Sequence, residues 1–547
     1  MDSSRTTEIN NEHRKLRKTL AAAALSCRAL TEHALAVLWR QLDSVQPLLS
    51  LLSKRKRQFP KSNITRLQAD ITEQSWLRFQ THARHVRALH DPDWSAVHPS
   101  TWTFIGRWCG TVPLLPNLEE LSVLPLNIQS PTSMMFISPK LRSLSLFVRY
   151  DESESESEGG WLLQEDREIV KTLFRQIVST APRIKTLSIE SNVLALPPTC
   201  LSRIRELEGL TALHAHNCVL DYALLRWLGG CPSLRTLSGM IDMARVPPRP
   251  TDPADEDYFD YAPFYGFNQV EHLHIRGSPA DLHLFLDYAV PCRLKTHTVE
   301  FDTCAPPAAI TRCVEVVWDN DRTRRSVLRE LTLVYPTESY RDEEAGNSLQ
   351  DAALVDVVRP ALAIRGLRKV TLGFHEIPSL DNAGVLEMVE AWPKLTALHI
   401  LPSTGARYRA HTTLTPAVLV ALARQCPRLV ELTLPEVKLR DVHETEEDMP
   451  VVGLRAVRKL SLFFCHWVDH EDVLYTAALF LDRLFPCLDL HPSWEGHDED
   501  EEEDGLSRSL DEQGREAEKT WRRIEEYLYS MQLGRRHGEM LKSAVSL

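Results

Sequence analysis

Two histidine pairs, His214 with His216 and His272 with His274, are spaced i, i+2, so on a strand each pair projects from one face. Imidazoles placed this way supply half of a zinc or copper site. A structural zinc site wants four ligands at set intervals, and no cysteine or carboxylate here falls at a matching one. No metal or other cofactor is therefore expected. The chain has no G-x-S-x-G elbow, no phosphate-cradling P-loop, no G-x-G-x-x-G and no H-E-x-x-H. Histidines and carboxylates are plentiful, yet no motif pairs them, and the reading is of a chain that is not an enzyme. Its 11 cysteines are odd in number and form no C-x-x-C pair, as expected of free, mostly buried thiols in a reducing compartment. Ser153, Ser155 and Ser157 alternate with acidic residues in DESESESE and are candidate phosphorylation sites, each adding roughly 1.5–2 negative charges to a self-repelling run.

The setting of these residues recurs along the chain. Short units spelled LEELSV (118), LRSLSL (141), IKTLSI (184), LTALHA (210), LRTLSG (234), VEHLHI (270), LKTHTV (294), LRELTL (328), LRKVTL (367), LTALHI (395), LVELTL (429) and VRKLSL (457) return every 23 to 43 residues. Aliphatics at positions 1, 4 and 6 match the leucine-rich-repeat template, in which alternate side chains of a short strand enter a core. Pro116, Pro139, Pro182, Pro232, Pro393 and Pro427 each stand two residues ahead of a unit, ending the preceding helix and extending the chain. Asp381 and Thr415 with Pro416 read as helix starts between units. One strand cannot bury enough to offset its ordering entropy, so neighbours must stack. The expected fold is α/β, a leucine-rich-repeat solenoid with parallel strands on the concave face and helices outside.

Between the last two aliphatics of each unit stands Ser, Thr or His, facing the open side. Such a column either bonds sideways as a polar ladder or meets a partner, and the two roles are compatible. Partner specificity then falls to outward residues, and the candidate target-binding set is Glu190, His214, His216, Met240, His274, Arg276, Glu330, Lys369, His399, Glu431, Lys459 and Phe463.

A formal net charge of -12 opposes nucleic acid as the main partner, since phosphate binding needs a basic surface. The basic run Lys54–Arg57 reads as a solvated loop. The longest apolar run, Leu20 to Leu25, is far short of a membrane span, and the polar start lacks a signal-peptide core. An intracellular chain, cytoplasmic or nuclear, is expected. Capped array ends favour a monomer.

Ahead of the repeats, LSCRAL…ALAVLWRQLDSVQPLLSLL has helical spacing, with Thr31 as a cap and Pro47 opening a further piece. This stretch resembles the second half of the F-box-like segment of fungal F-box and leucine-rich-repeat proteins. The Leu-Pro dipeptide that opens an F-box is not spelled in Met1–Thr19. The resemblance implies helices that dock a Skp-type adaptor of a cullin (SCF) ubiquitin ligase, with Leu25, Cys27, Leu30, Leu35, Leu38 and Trp39 as adaptor-binding residues. The organisation expected is a polar tail 1–19, partial F-box-like helices 20–53, a linker and cap 54–113, irregular repeats 114–470, and capping helices 471–547 with an acidic loop 498–504.

Overall fold

In the computed structural model the described residues are 3–52, 71–90, 93–127, 131–149, 164–191, 196, 198–243, 266–289, 291–303, 307–322, 327–334, 352–374, 378–402, 413–439, 442, 456–465, 471–490 and 512–545. The basic run at 54–57, the serines of DESESESE and the acidic loop 498–504 lie outside them. Two compact units are formed, Met1–Met240 and Ile241–Leu547.

The strands of the first are β1 (Gln41–Leu42), β2 (Ala88–Leu89), β3 (Glu120–Asn127), β4 (Ser143–Arg149), β5 (Thr186–Ser191), β6 (Ala212–Asp221) and β7 (Thr236–Asp242), whose last two residues begin the second unit. That unit contains β8 (His272–Gly277), β9 (Thr296–Phe301), β10 (Glu330–Val334), β11 (Lys369–Phe374), β12 (Ala397–Pro402), β13 (Glu431–Val437) and β14 (Lys459–Cys465). Within each unit the strands follow chain order, with parallel pairing. Parallel neighbours need a crossover, and the helices between strands supply it. The architecture is a leucine-rich-repeat solenoid.

One backbone rule joins the repeats. The carbonyl at position 2 of a unit accepts the N–H groups of positions 2 and 3 of the next, as when Glu119 O accepts from Arg142 and Ser143, or Arg368 O from Thr396 and Ala397. The aliphatics of positions 1 and 4 form the core: Leu141 and Leu144, Leu367 and Val370, and Leu429 and Leu432 are all buried. Asp381 caps the helix Asn382–Ala391 by accepting from Gly384 N at 2.7 Å. Thr415 starts the helix Pro416–Gln425 differently. Its hydroxyl makes no cap bond and instead accepts from Asn382 Nδ2 at 2.7 Å.

Several expectations are corrected. The ladder starts well before residue 114, because β1 and β2 lie in the segments read as helical module and linker. Val86-Arg87-Ala88-Leu89 is a repeat unit whose sixth position is Asp91, which hid it from the leucine pattern; its Val86 and Leu89 are fully buried. The stretch read as a polar tail is helical from Ser3 onward, part of Ser3–Ser26, since glutamate, lysine and arginine are good helix formers whatever their polarity. Thr31 lies inside the helix Arg28–Leu38, with Cys27 at its N-cap, and bonds the Ala24 and Cys27 carbonyls at 2.7 and 3.0 Å. Phe136 meets Trp94 and Trp102 edge-on, and the two indoles lie tilted to each other with ring centroids 5.9 Å apart.

Two core slots also differ. At LEELSV the ladder slips between Leu121 and Leu124, so Val123 turns outward with φ +50° and Leu124 takes the core position. At LKTHTV the fourth position is His297, buried at 2% exposure with neither ring nitrogen bonded.

At the C-terminal end the helix Glu512–Val545 packs on Glu471–Leu484 and on β14. Trp521, Ile524, Leu528 and Gln532 are buried there, and Arg535 pairs with the largely buried Asp482.

Candidate functional site

The outward side chains of the strands form rows set by the register. In the first unit Ser145, Ser188 and His214 are aligned across β4, β5 and β6, while Glu190 stands opposite Phe147. His214 and His216 stack with ring centroids 6.3 Å apart, and Met240 is half-buried on β7. Nearer the start, His90 Nδ1 lies 3.4 Å from the Ser122 hydroxyl and 3.8 Å from the Glu120 carboxylate. Both neighbours meet the same nitrogen, so no proton relay runs through this ring.

In the second unit the rows are longer. Thr298, Thr332, Thr371, His399, Thr433 and Ser461 align from β9 to β14, beside Glu330, Lys369, Ala397, Glu431 and Lys459. This column is a polar ladder at one link: His399 Nδ1 lies 2.9 Å from the Thr433 hydroxyl. The other His399 nitrogen is 3.4 Å from Glu431, whose second oxygen accepts from Lys459 at 3.0 Å. Burial pushes the His399 pKa down and outweighs the pull of Glu431, so the ring is neutral at pH 7 and the contact is not an ion pair. The Lys459 hydrogen bond holds the Glu431 carboxyl below its ordinary value.

Hydroxyl, imidazole and carboxylate in this order resemble a nucleophile and its base. Thr433, however, is only 8% exposed, which fits a rung of the ladder better than a nucleophile open to substrate. On β8 and β9, His274 Nε2 meets Glu300 at 2.8 Å and His272 Nδ1 meets Thr296 at 2.8 Å. Arg276 stands opposite that Glu300, its Nε buried without a bond. The pair His272 and His274 thus faces hydroxyl and carboxylate neighbours, and no cluster of three or more metal-ligating side chains exists among the described residues. Phe463 lies on β14, with its side chain outside the described set. Burial raises the thiol pKa values of Cys109, Cys200, Cys231 and Cys426 to about 11 and that of Cys313 to about 12, so they stay protonated and inert.

The adaptor-binding candidates divide into two groups. Leu25 is 90% exposed and Leu30 49%, with Cys27 also outward, on a hairpin of the helices Ser3–Ser26 and Arg28–Leu38. Leu35, Leu38 and Trp39 are half-buried, and the Trp39 ring sits 4.6 Å from His82. Leu16 and Val37 are also exposed on these two helices. Among the described residues, no helix is long and apolar enough to cross a membrane.

No family model and no curated protein sequence matches this chain. Among solved structures, it is similar to the yeast Rad7 and Elc1 complex at 13% identity and a TM-score of 0.31, over 63% of this chain and 81% of the other. It is also similar to an internalin from Listeria monocytogenes at 14% identity and a TM-score of 0.31, over 70% and 82%. A third likeness is to the leucine-rich-repeat ectodomain of the plant receptor kinase GASSHO1/SCHENGEN3 from Arabidopsis thaliana, at 11% identity and a TM-score of 0.18, over 73% and 53%. These likenesses concern the fold alone.

Proposed function

We propose that the chain is a non-enzymatic protein-binding receptor, the substrate-recognition subunit of a cullin-type (SCF) ubiquitin ligase. Its concave repeat face holds a target protein while the N-terminal helices dock a Skp-type adaptor. The observation that carries the adaptor half is the exposure of Leu25 and Leu30, with Leu16 and Val37, on a two-helix hairpin. Apolar side chains held in water favour a partner that covers them. The target half rests on the outward charges Glu330, Lys369 and Lys459 of the second unit, all exposed and all beyond the needs of core packing. Charges of both signs on one face give an interface its specificity.

Co-purification tests this reading: tagged chain is mixed with adaptor and cullin, and recovery of both is expected. Loss of recovery in the paired Leu25→Asp, Leu30→Asp variant supports docking through the hairpin. A chain that never retains adaptor, even when extended upstream, overturns the ligase role. The remaining reading is then an interaction scaffold with no ubiquitin-related task, favoured by the contact of Trp39 with His82, which ties the hairpin back to the array.

A further inference from the structure

A second apolar surface lies on two helices of the first unit, one of which also carries His82, the contact of Trp39. Glu73–Ala83 buries Trp76, Phe79 and Ala83, and Pro99–Cys109 buries Trp102, Ile105 and Cys109. Trp76 and Trp108 meet across them with ring centroids 5.9 Å apart. Beside that contact opens a cavity of about 200 Å³, lined by Trp76, Gln80 and Arg84 from one helix and by Cys109, Val112 and Pro113 from the other and its following turn.

Packing does not explain what surrounds this cavity. Val112 is 58% exposed, and Leu77, Phe104 and Trp108 are exposed as well. Phe104 and Trp108 stand one turn apart on one helix face, and Leu77 lies one turn before Gln80 and two before Arg84 on the other. Large apolar side chains gathered in this way mark an interaction site more often than scattered ones do.

The charge around them has one sign. Arg78, Arg84 and Arg107 are exposed, while Glu73 is the single acidic residue on the two helices. Among the described residues Arg84 has no ion pair or side-chain hydrogen bond, and Arg107 lies over the Phe104 ring at 5.7 Å. A cation near a helix C-terminus is favoured by the helix dipole, which accounts for Arg84 and Arg107 as charges but not for the exposed apolar residues between them. Arg84 lines the cavity, and in a chain of net charge -12 an apolar cleft with an arginine in its wall and another on the neighbouring helix is complementary to something acidic.

We infer that the cleft between Glu73–Ala83 and Pro99–Cys109 docks an acidic amphipathic helix of a partner protein. Its aliphatic side chains, spaced i, i+3, i+4 and i+7, fill the cavity and cover Leu77, Trp108 and Val112, and its flanking carboxylates meet Arg84 and Arg107. The cleft shares no lining residue with the target and adaptor surfaces proposed above.

The test uses the full chain and three dye-labelled peptides of about four helical turns each: leucine on one face with flanking glutamates, the same with lysines, and the glutamate peptide with its leucines scattered. Fluorescence anisotropy is expected to show binding of the first, with the other two weaker by about tenfold or more. Arg84→Glu with Arg107→Glu should reverse the preference toward the lysine peptide, and Val112→Asp should abolish binding of both. The milder pair Arg84→Gln, Arg107→Gln, expected to abolish the preference, gives the same readout if charge reversal harms folding, which thermal melting reports. Equal binding of the acidic and basic peptides, binding unmoved by these variants, no binding, or light scattering that shows two copies joined through this cleft would each overturn the inference.

Discussion

The Trp94 indole N–H donates to the Val123 carbonyl at 2.6 Å, at the point where the ladder slips and Val123 turns to φ +50°. A β-branched residue in the left-handed region costs about 1–2 kcal/mol, so the bulge persists because its surroundings hold it. Trp94 is one of those restraints, reaching from a different turn of the chain while its ring packs on Trp102 and Phe136.

Trp94→Phe should keep the ring packing but lose the hydrogen bond, lowering stability by about 1 kcal/mol. Val123→Gly should be neutral or slightly stabilising, because relief of strain offsets the greater freedom of glycine when unfolded. Urea melts of the two variants check this. A Val123→Gly loss beyond about 2 kcal/mol would mean that the valine side chain matters more than its backbone.

Burial lowers the His297 pKa to about 4, with His274 adding a smaller push in the same direction. The unfolded chain binds a proton below about pH 6.5, and the folded chain only near 4. Stability is therefore fully present above pH 6.5, falls as the pH drops toward 4, and loses up to about 3 kcal/mol from this group alone. His297→Leu fills the slot with the residue type other repeats use. It should raise the urea midpoint at pH 7 and flatten the decline between pH 6.5 and 4.

Lys459 draws Glu431 away from His399 and also opposes its protonation directly. In Lys459→Met the Glu431 carboxylate is left to the imidazole alone, so the His399 pKa should rise. The Glu431 pKa should rise with it. Histidine resonances followed through a pH titration by NMR give the answer, and an unmoved His399 would mean that this contact does not form in solution.

Gly277 closes β8 where a Cβ would stand 2.8 Å from the Ile241 carbonyl oxygen, a backbone atom that cannot rotate aside. Gly277→Ala should cost about 1–3 kcal/mol through the shift it forces. Gly239 offers a milder comparison, since its added Cβ meets the end of the Leu220 side chain. Thermal midpoints of the two alanine variants should fall in that order.

Leu25→Asp and Leu30→Asp place charge where the native side chains already face water. The melting midpoint should stay within a degree or two of the parent. A large fall would show instead that the hairpin is covered by the chain itself, and would remove these leucines from any docking surface.

The twelve strand units are readable because their signals are local. Alternation of aliphatic and polar residues separates core from face, and proline stops the helix before the strand. Asp381 announces its cap in the same way. The site candidates follow from that alternation, which is why Glu330, Lys369 and Lys459 are found on the outward face where the pattern puts them.

What the tertiary structure decided is everything that depends on a neighbour some 24 to 48 residues away. Val86 and Leu89 become a rung only because the Arg40 carbonyl accepts from Arg87 and Ala88 and the Arg87 carbonyl accepts from Glu119 and Glu120. His297 is a core residue because its strand keeps register with Leu273 and Leu331 on either side. His274 meets Glu300 and His399 meets Glu431 through the same cross-strand alignment. Period and punctuation are written along the chain, whereas register is a relation between segments, settled only when their backbone hydrogen bonds form together.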